Sequence, residues 1–155
     1  MVSQKITIHN PQGLHMRPAG VFAKAMAKTG AKVALLDLNG DAAKANADEI
    51  IADGGIAKGY TCNVLDKSSL KNVHKEIIND FGMCDILING AGGNNPKATT
   101  DNEYFNPEDM GNMKTFFDLD KSGVEFVFNL NFLGTLLPTQ VFAQDMLKKD
   151  DASII

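Results

Sequence analysis

Several short groups of residues in this chain are of types that do chemistry. His15 and Arg17 stand just before Pro18, where the pattern turns helical through Val21, Phe22, Ala25 and Met26. Proline suits the first turn of a helix, because its missing N–H would have no partner there. A helix start attracts anions through its unpaired N–H groups and its dipole. Arg17 offers a two-pronged fork to such an anion, and an imidazole is a competent nucleophile near neutral pH. His15 therefore reads either as a phosphoryl carrier or as an exposed loop histidine without a role. Asp37 closes the apolar run Lys32–Asp37, Asn63 and Val64 close Gly59–Val64, and Asn89, Gly90, Ala91 and Gly92 follow Ile86-Leu87-Ile88. Carboxylate and amide groups can bind hydroxyls, and glycines let backbone approach a ligand closely. Asn131 falls in a mostly apolar helical stretch that begins at Gly123. It either serves a site or bonds neighbouring backbone.

The elements that must position these groups alternate. Lys5–Ile8 reads as a strand broken by Asn10-Pro-Gln-Gly13, and a helix runs from Arg17-Pro18 to Thr29-Gly30. The strand Lys32–Asp37 precedes a helix over Asp41–Ala52 with Ala42, Ala45, Ala47, Ile50 and Ile51 buried. Gly59–Val64 is the next strand; Asp66 caps the helix that follows, which buries Leu70, Val73, Ile77 and Ile78, with His74 at the boundary of that stripe. Ile86–Ile88 has the unbroken apolar character of a strand buried on both faces. Asn94–Ser122 is a long polar loop with short helical pieces, and a loop of that length is a lid, a binding loop or disordered. Tyr104-Phe105 and Phe116-Phe117 either anchor it or face a partner. A long helix over about Val124 to Leu147 and a strand beginning at Ala152-Ser-Ile-Ile155 complete the chain. Such alternation predicts an α/β, Rossmann-like three-layer αβα fold with a mainly parallel sheet, incomplete at its C-terminal side. One domain over residues 1–155 is expected. Ligands of such sheets bind beyond the carboxyl ends of the strands, which here carry Asp37, Asn63 and Asn89 to Gly93.

Composition narrows the class. A chain of 155 residues with 44% hydrophobic and 22% charged residues is an ordinary globular domain. A net charge of −4 with no basic cluster beyond Lys148-Lys149 argues against a nucleic-acid partner. Cys62 and Cys84 lack metal-ligand spacing and read as buried free thiols; no metal is expected. The N-terminus has no signal-like apolar core, and no run is expected to approach membrane-spanning length. A cytoplasmic protein with no membrane contact, acting on a small molecule as a homo-oligomer, is the expectation.

In dinucleotide-binding sheets the acid ending the second strand accepts hydrogen bonds from the adenosine ribose, which makes Asp37 a candidate selector of NAD. The alternative is an acid that caps a strand or helix. From about Phe22 to Ile155 the chain resembles the short-chain dehydrogenase/reductase superfamily. Asp37 matches its acid after strand two, Asn63-Val64 stands where it has Asp-Val beside the adenine, and Asn89-Gly-Ala-Gly92 is similar to its Asn-Asn-Ala-Gly motif. The Gly-Gly-Asn-Asn-Pro segment that follows looks most like the mannonate and fructuronate oxidoreductase branch, which acts on sugar acids. The resemblance makes Asn131, with Gly134, the helix asparagine of the catalytic tetrad, holding a water in the proton relay.

Residues 1–28 carry a second resemblance. Lys5 through Phe22, with Gly13-Leu-His15-Met-Arg17-Pro18-Ala19, is similar to the active-site segment of the histidine-containing phosphocarrier HPr of the sugar phosphotransferase system. That resemblance implies phosphorylation of His15, steadied by Arg17, with the upstream kinase as partner. It fades beyond Lys28, and the family's regulatory serine is replaced by Ala47. The same loop lacks the dehydrogenases' glycine-rich turn, since Leu14, His15 and Arg17 bring side chains where backbone must approach a pyrophosphate. Nor does the sequence reach a strand-five serine or a Tyr-x-x-x-Lys pair. The chain is thus expected to be an NAD(P)-dependent oxidoreductase domain, impaired or inactive, with weak or lost NAD binding. The other readings are a phosphocarrier and a fragment that self-associates through its unfinished edge.

Overall fold

The computed structural model describes residues 28–155, preceded by Ala25. The first βαβ unit is β1 (Lys32–Asp37), α1 (Gly40–Ala52) and β2 (Ile56–Thr61). β1 and β2 are parallel, Lys32 opposite Ile56 and Asp37 opposite Thr61. Cys62 N–H donates to the Asp37 carbonyl at 2.8 Å and extends the pairing past both strand ends. Side chains alternate across a strand, and the two faces divide accordingly. Val33, Leu35 and Ala57 pack on Ala47 and Ile50 of α1. Ala34, Leu36, Tyr60 and Cys62 turn to the other face. There they meet Leu70, Val73 and Ile77 of α2 (Lys67–Phe81), together with a later helix. Gly59 lets α1 come this close: a Cβ there would lie 2.5 Å from the backbone of Ala43 and Lys44.

The later helix runs as α3 (Lys121–Phe128), a π turn over Asn129–Leu133, α4 (Gly134–Phe142) and a closing 3-10 turn over Ala143–Met146. Val141 and Phe142 of α4 complete the larger core cluster, and Cys84 and Leu87 beside β3 (Ile86–Leu87) pack against the same cluster. β3 pairs in parallel with β4 (Ser153–Ile154). All described pairings are parallel, with α1 on one face and α2 and α4 on the other: the expected Rossmann-like αβα layering. Among the described residues the ladders join the strands as two pairs, β1–β2 and β3–β4. The expected strand Lys5–Ile8 and most of the first helix lie outside the described residues, although Gly30, expected to close that helix, has φ +87°.

Several expectations need correction. β2 begins at Ile56 and ends at Thr61, so Asn63 and Val64 belong to the turn beyond it. Gly59, where the strand was expected to begin, lies inside it and is a site of close approach. The buried stripe of α1 is Ala43, Ala47 and Ile50; Ala45 and Ile51 face solvent, because a spacing of three and four keeps one face. Ile78 of α2 is likewise on the rim. β3 is not buried on both faces: Ile86 is 41% exposed. The helical run Lys121–Met146, 26 residues with mean hydropathy 1.3, reaches membrane-spanning length and composition. Its interspersed Glu125, Asn129, Asn131 and Gln140 masked that in the sequence. Its Val141, Phe142 and Met146 are buried against the domain, as in a core helix.

Candidate functional site

The three strand tips are fixed by local hydrogen bonds. After β1, Asp37 turns one carboxylate oxygen to the Asn39 N–H at 2.8 Å, and Asn39 in turn caps α1 by accepting from Ala42 N. The other Asp37 oxygen has no partner among the described residues. After β2, the Asn63 side chain accepts from Leu65 N at 3.0 Å while its own N–H donates to Ser69 Oγ at 3.1 Å. After β3, Asn89 N–H donates to the Ile155 carbonyl at 2.8 Å, tying the tip to β4. The Asn89 amide donates to Thr139 Oγ1 at 3.3 Å, and its Oδ1 is buried with no partner. A buried acceptor left unpaired costs about 1–3 kcal/mol, so this oxygen is open to a further donor.

The helix that covers these tips brings two of them together. Gly134 lies over Val64, whose Cγ2 would be 3.3 Å from a Cβ at that position. One turn earlier, Asn131 reaches the loop after β3. Its Nδ2 donates to the carbonyls of Gly93 and Val127, each at 2.8 Å, and its Oδ1 accepts from Gly93 N at 3.1 Å. Gly92 leaves room for this: a Cβ there would sit 2.8 Å from Asn131 Oδ1. One turn later, Thr139 holds Asn89. The β1 tip joins through the register of β1 on β2. Asp37, Asn63, Val64 and Asn89 to Gly92 therefore lie at or just past the carboxyl ends of parallel strands, with the helix bridging the β2 and β3 tips. Asn131 sits in the π turn, where the widened helix aims its side chain at Gly93; such bulges are frequent at functional sites. Its amide donors are both spent on backbone, which makes Asn131 a clamp on the loop after β3.

The sequence did not suggest Thr139 as the partner of Asn89, since a lone threonine in an apolar helix carries no signal. His74 sits half-buried, as expected, and has a partner the sequence left unread. Its Nε2 lies 2.9 Å from Asp145 Oδ2, which also accepts from Cys84 N at 3.0 Å, and its ring meets Phe142 edge-on at 5.1 Å. This pair ties α2 to the end of the long helix and lies away from the strand tips. Cys62 and Cys84 are free thiols, and burial pushes both above the usual thiol range, so neither is a ready nucleophile. His15 and Arg17 lie outside the described residues. Among the described residues no three His, Cys, Asp or Glu side chains group as metal ligands.

The insertion after Gly93 holds three 3-10 turns, Pro96–Ala98, Pro107–Asp109 and Phe116–Asp118, which agrees with the short helical pieces expected there. Its aromatic side chains Tyr104, Phe105, Phe116 and Phe117 are all more than half exposed, and Phe105 meets Phe117 edge-on at 5.7 Å across the insertion. A cavity of about 470 Å³ opens beside Asn94.

Comparison with known proteins places this geometry. The family described as short chain dehydrogenase matches residues 20–155, a segment that begins after His15 and Arg17. A protein of Haemophilus influenzae known as an uncharacterized oxidoreductase is 62% identical over 134 residues, which are 86% of this chain and 47% of that protein. The uncharacterized oxidoreductase UxuB of Bacillus subtilis is 43% identical over 86% of this chain and 48% of its own. Among solved structures, a putative D-mannonate oxidoreductase of Haemophilus with bound NAD superposes with a TM-score of 0.84 at 61% identity, covering 87% of this chain and 48% of that one. A metagenomic short-chain oxidoreductase in complex with NADP shares the fold, with a TM-score of 0.69 at 20% identity. The chain spans about half the length of the relatives it matches.

Proposed function

Because this chain belongs to the short-chain dehydrogenase family, we propose that it is the dinucleotide-binding half of an NAD(P)-dependent oxidoreductase whose substrate is a sugar acid. The observation that carries this reading is the set of strand ends with Asp37, Asn63, Val64 and Asn89 to Gly92, the β2 and β3 tips bridged by one helix. The residues present fit the adenosine side of such a cofactor: Asp37 offers ribose hydroxyls a carboxylate oxygen that has no partner among the described residues, and the Asn63-Val64 turn would border the base. The buried, unpaired Asn89 Oδ1 is an acceptor still to be satisfied beside the glycines of the third tip. A bound nicotinamide would give or take the hydride. The protein's part is to orient it: Asn131 fixes the backbone of Gly93, and Thr139 fixes Asn89. Cytoplasmic residence accords with this reading, and the substrate class is supported by the name of the structural relative with bound NAD.

Residues 12–20, expected to stand where the family has its glycine-rich turn, lie outside those described. NADH binding to the 155-residue chain, followed by the rise in its fluorescence, is the test. Asp37→Ala should weaken it about tenfold, the loss expected for one charge-assisted hydrogen bond. It should also narrow the preference for NADH over NADPH, since the carboxylate repels a 2′-phosphate. NADH binding unchanged by Asp37→Ala, or none at millimolar cofactor, overturns the reading.

A further inference from the structure

Beyond the strand tips, a cavity of about 470 Å³ lies one residue past the clamped Gly93. Its polar wall is Asn94, Asn95, Thr99, Thr100, Asp101 and Lys114. What that wall can offer a ligand follows from how its atoms are already used. Asn94 Oδ1 accepts from Asn95 N at 2.8 Å, and Asn95 Oδ1 accepts from Lys97 N at 2.9 Å as the cap of a 3-10 turn. A backbone N–H demands an oxygen, so these contacts fix which way both amides face. Their NH₂ groups are left without partners among the described residues. Thr99 and Thr100 spend their hydroxyl protons on the carbonyls of Asn95 and Asn102. Asp101 Oδ2 accepts from Lys114 N at 2.6 Å. Lys114 Nζ donates once, to the Pro96 carbonyl at 2.7 Å, and an ammonium group has three protons.

The wall therefore presents two amide donors and the Lys114 ammonium, beside the second oxygen of the Asp101 carboxylate, while the remaining acceptors named above are committed to turns. It is also held in place. Asn131 grips Gly93, Asp120 N donates to the Lys97 carbonyl at 2.9 Å, and Gly123 packs on the Lys97 backbone, where a Cβ would come within 2.8 Å of its carbonyl carbon. Asp101 N–H donates to the Lys114 carbonyl at 2.9 Å, and Lys114 N–H donates to the Asp101 carboxylate. Preorganised donors of this kind select an acceptor-rich ligand.

We propose that this insertion is the substrate's acid-binding side: Lys114 takes the carboxylate of a polyhydroxy acid, and the Asn94 and Asn95 amides donate to its hydroxyl oxygens. The proposal deepens the oxidoreductase reading and rests on it for the identity of the substrate. It assigns specificity to Lys114, a residue outside every motif noted in the sequence.

Calorimetric titration of the 155-residue chain with D-mannonate, and with D-mannitol as its uncharged counterpart, tests it. Mannonate should bind and mannitol should not. Lys114→Gln should weaken mannonate about tenfold, as loss of one charged hydrogen bond does, and Lys114→Arg should restore it. Amide resonances of Asn94, Asn95 and Lys114 should shift on addition of mannonate, which separates a local role from unfolding. Equal binding of mannitol, mannonate affinity indifferent to Lys114→Gln, or no binding at all overturns the proposal. NADH binding measured in parallel keeps the two readings apart. Intact NADH binding without mannonate binding sinks only the acid site, whereas mannonate binding without NADH binding sinks the dinucleotide reading.

Discussion

Tyr60 shows how a single side chain ties function-neutral chemistry to stability. It is 4% exposed in the larger core, and its hydroxyl donates to Asp80 Oδ2 at 2.7 Å, an oxygen that Lys58 Nζ also reaches at 2.6 Å. Burial first, then the bond to Asp80, pushes the phenol above its usual range. The bonds from Lys58 and Tyr60 hold Asp80 below the usual carboxylate range. The signs are opposite and leave a window. Asp80 contributes stability above the unfolded carboxylate pKa of about 4 and loses it as pH falls through its lowered value. Tyr60 contributes fully below the unfolded phenol pKa of about 10, and that contribution declines as pH rises through its raised value. Melting temperature should therefore fall above about pH 10, and Tyr60→Phe should flatten that fall, since the variant has no phenol to ionise. A wild-type decline matched by Tyr60→Phe would show that Tyr60 does not govern it. At this scale the sequence was partly legible. Asp66 reads as a helix cap and caps α2 by accepting from Ser68 N. The partners Asp80, Asp145 and Thr139 are set by packing between elements, which no local pattern carries.

Elements were more legible than side-chain contacts, for a physical reason. Period and punctuation are local: α2, with its Leu70, Val73 and Ile77 stripe ending at Gly82, stands where the sequence put it. β2 was misplaced because Gly59 looks like a breaker when its neighbours in space are unknown. Its reason lies in α1, whose Ala43 and Lys44 backbone would meet any Cβ at 2.5 Å. That makes Gly59→Ala a test of the α1–β2 contact itself. Overpacking of a filled interface costs about 1–3 kcal/mol, so urea denaturation should show a loss of that size or more. Gly54→Ala, strained at φ +85° but with open space around it, supplies the comparison, because its cost is conformational and local to the helix end. A neutral Gly59→Ala would mean that α1 does not sit as close to β2 as described. The candidate site was legible at the same level. Asp37, Asn63 and Asn89 could be picked out as candidates because ligands of such sheets bind beyond strand ends, whereas the cavity wall of Asn94 to Lys114 escaped notice because an insertion has no period to read.

For the molecule as a whole, apolar surface is the unsettled quantity. Phe126, Phe128, Phe132 and Leu136 recur along the long helix and are 37% to 69% exposed, while Ile86, Ile154 and Ile155 stand 41% to 51% exposed at the short β3–β4 pair. Patches of this extent on a folded chain mark a surface that binds another one, and an unpaired strand edge adds a template for pairing. The chain spans about half the length of its relatives, so in a longer protein other segments have access to the same surfaces. For the 155-residue polypeptide itself, the available partner is a second copy. Sedimentation should show concentration-dependent association, and replacing Phe128 and Phe132 together by aspartate should shift it toward monomer while leaving the helical circular dichroism in place, because both side chains point away from the core. Association unchanged by that pair would move the contact to the β3–β4 edge, where Ile154→Lys is the next substitution to make. A monomer at all concentrations would instead mean that these phenylalanines are tolerated in water. The self-association expected of this polypeptide would then fall, and the dinucleotide edge, which uses none of these residues, would be untouched.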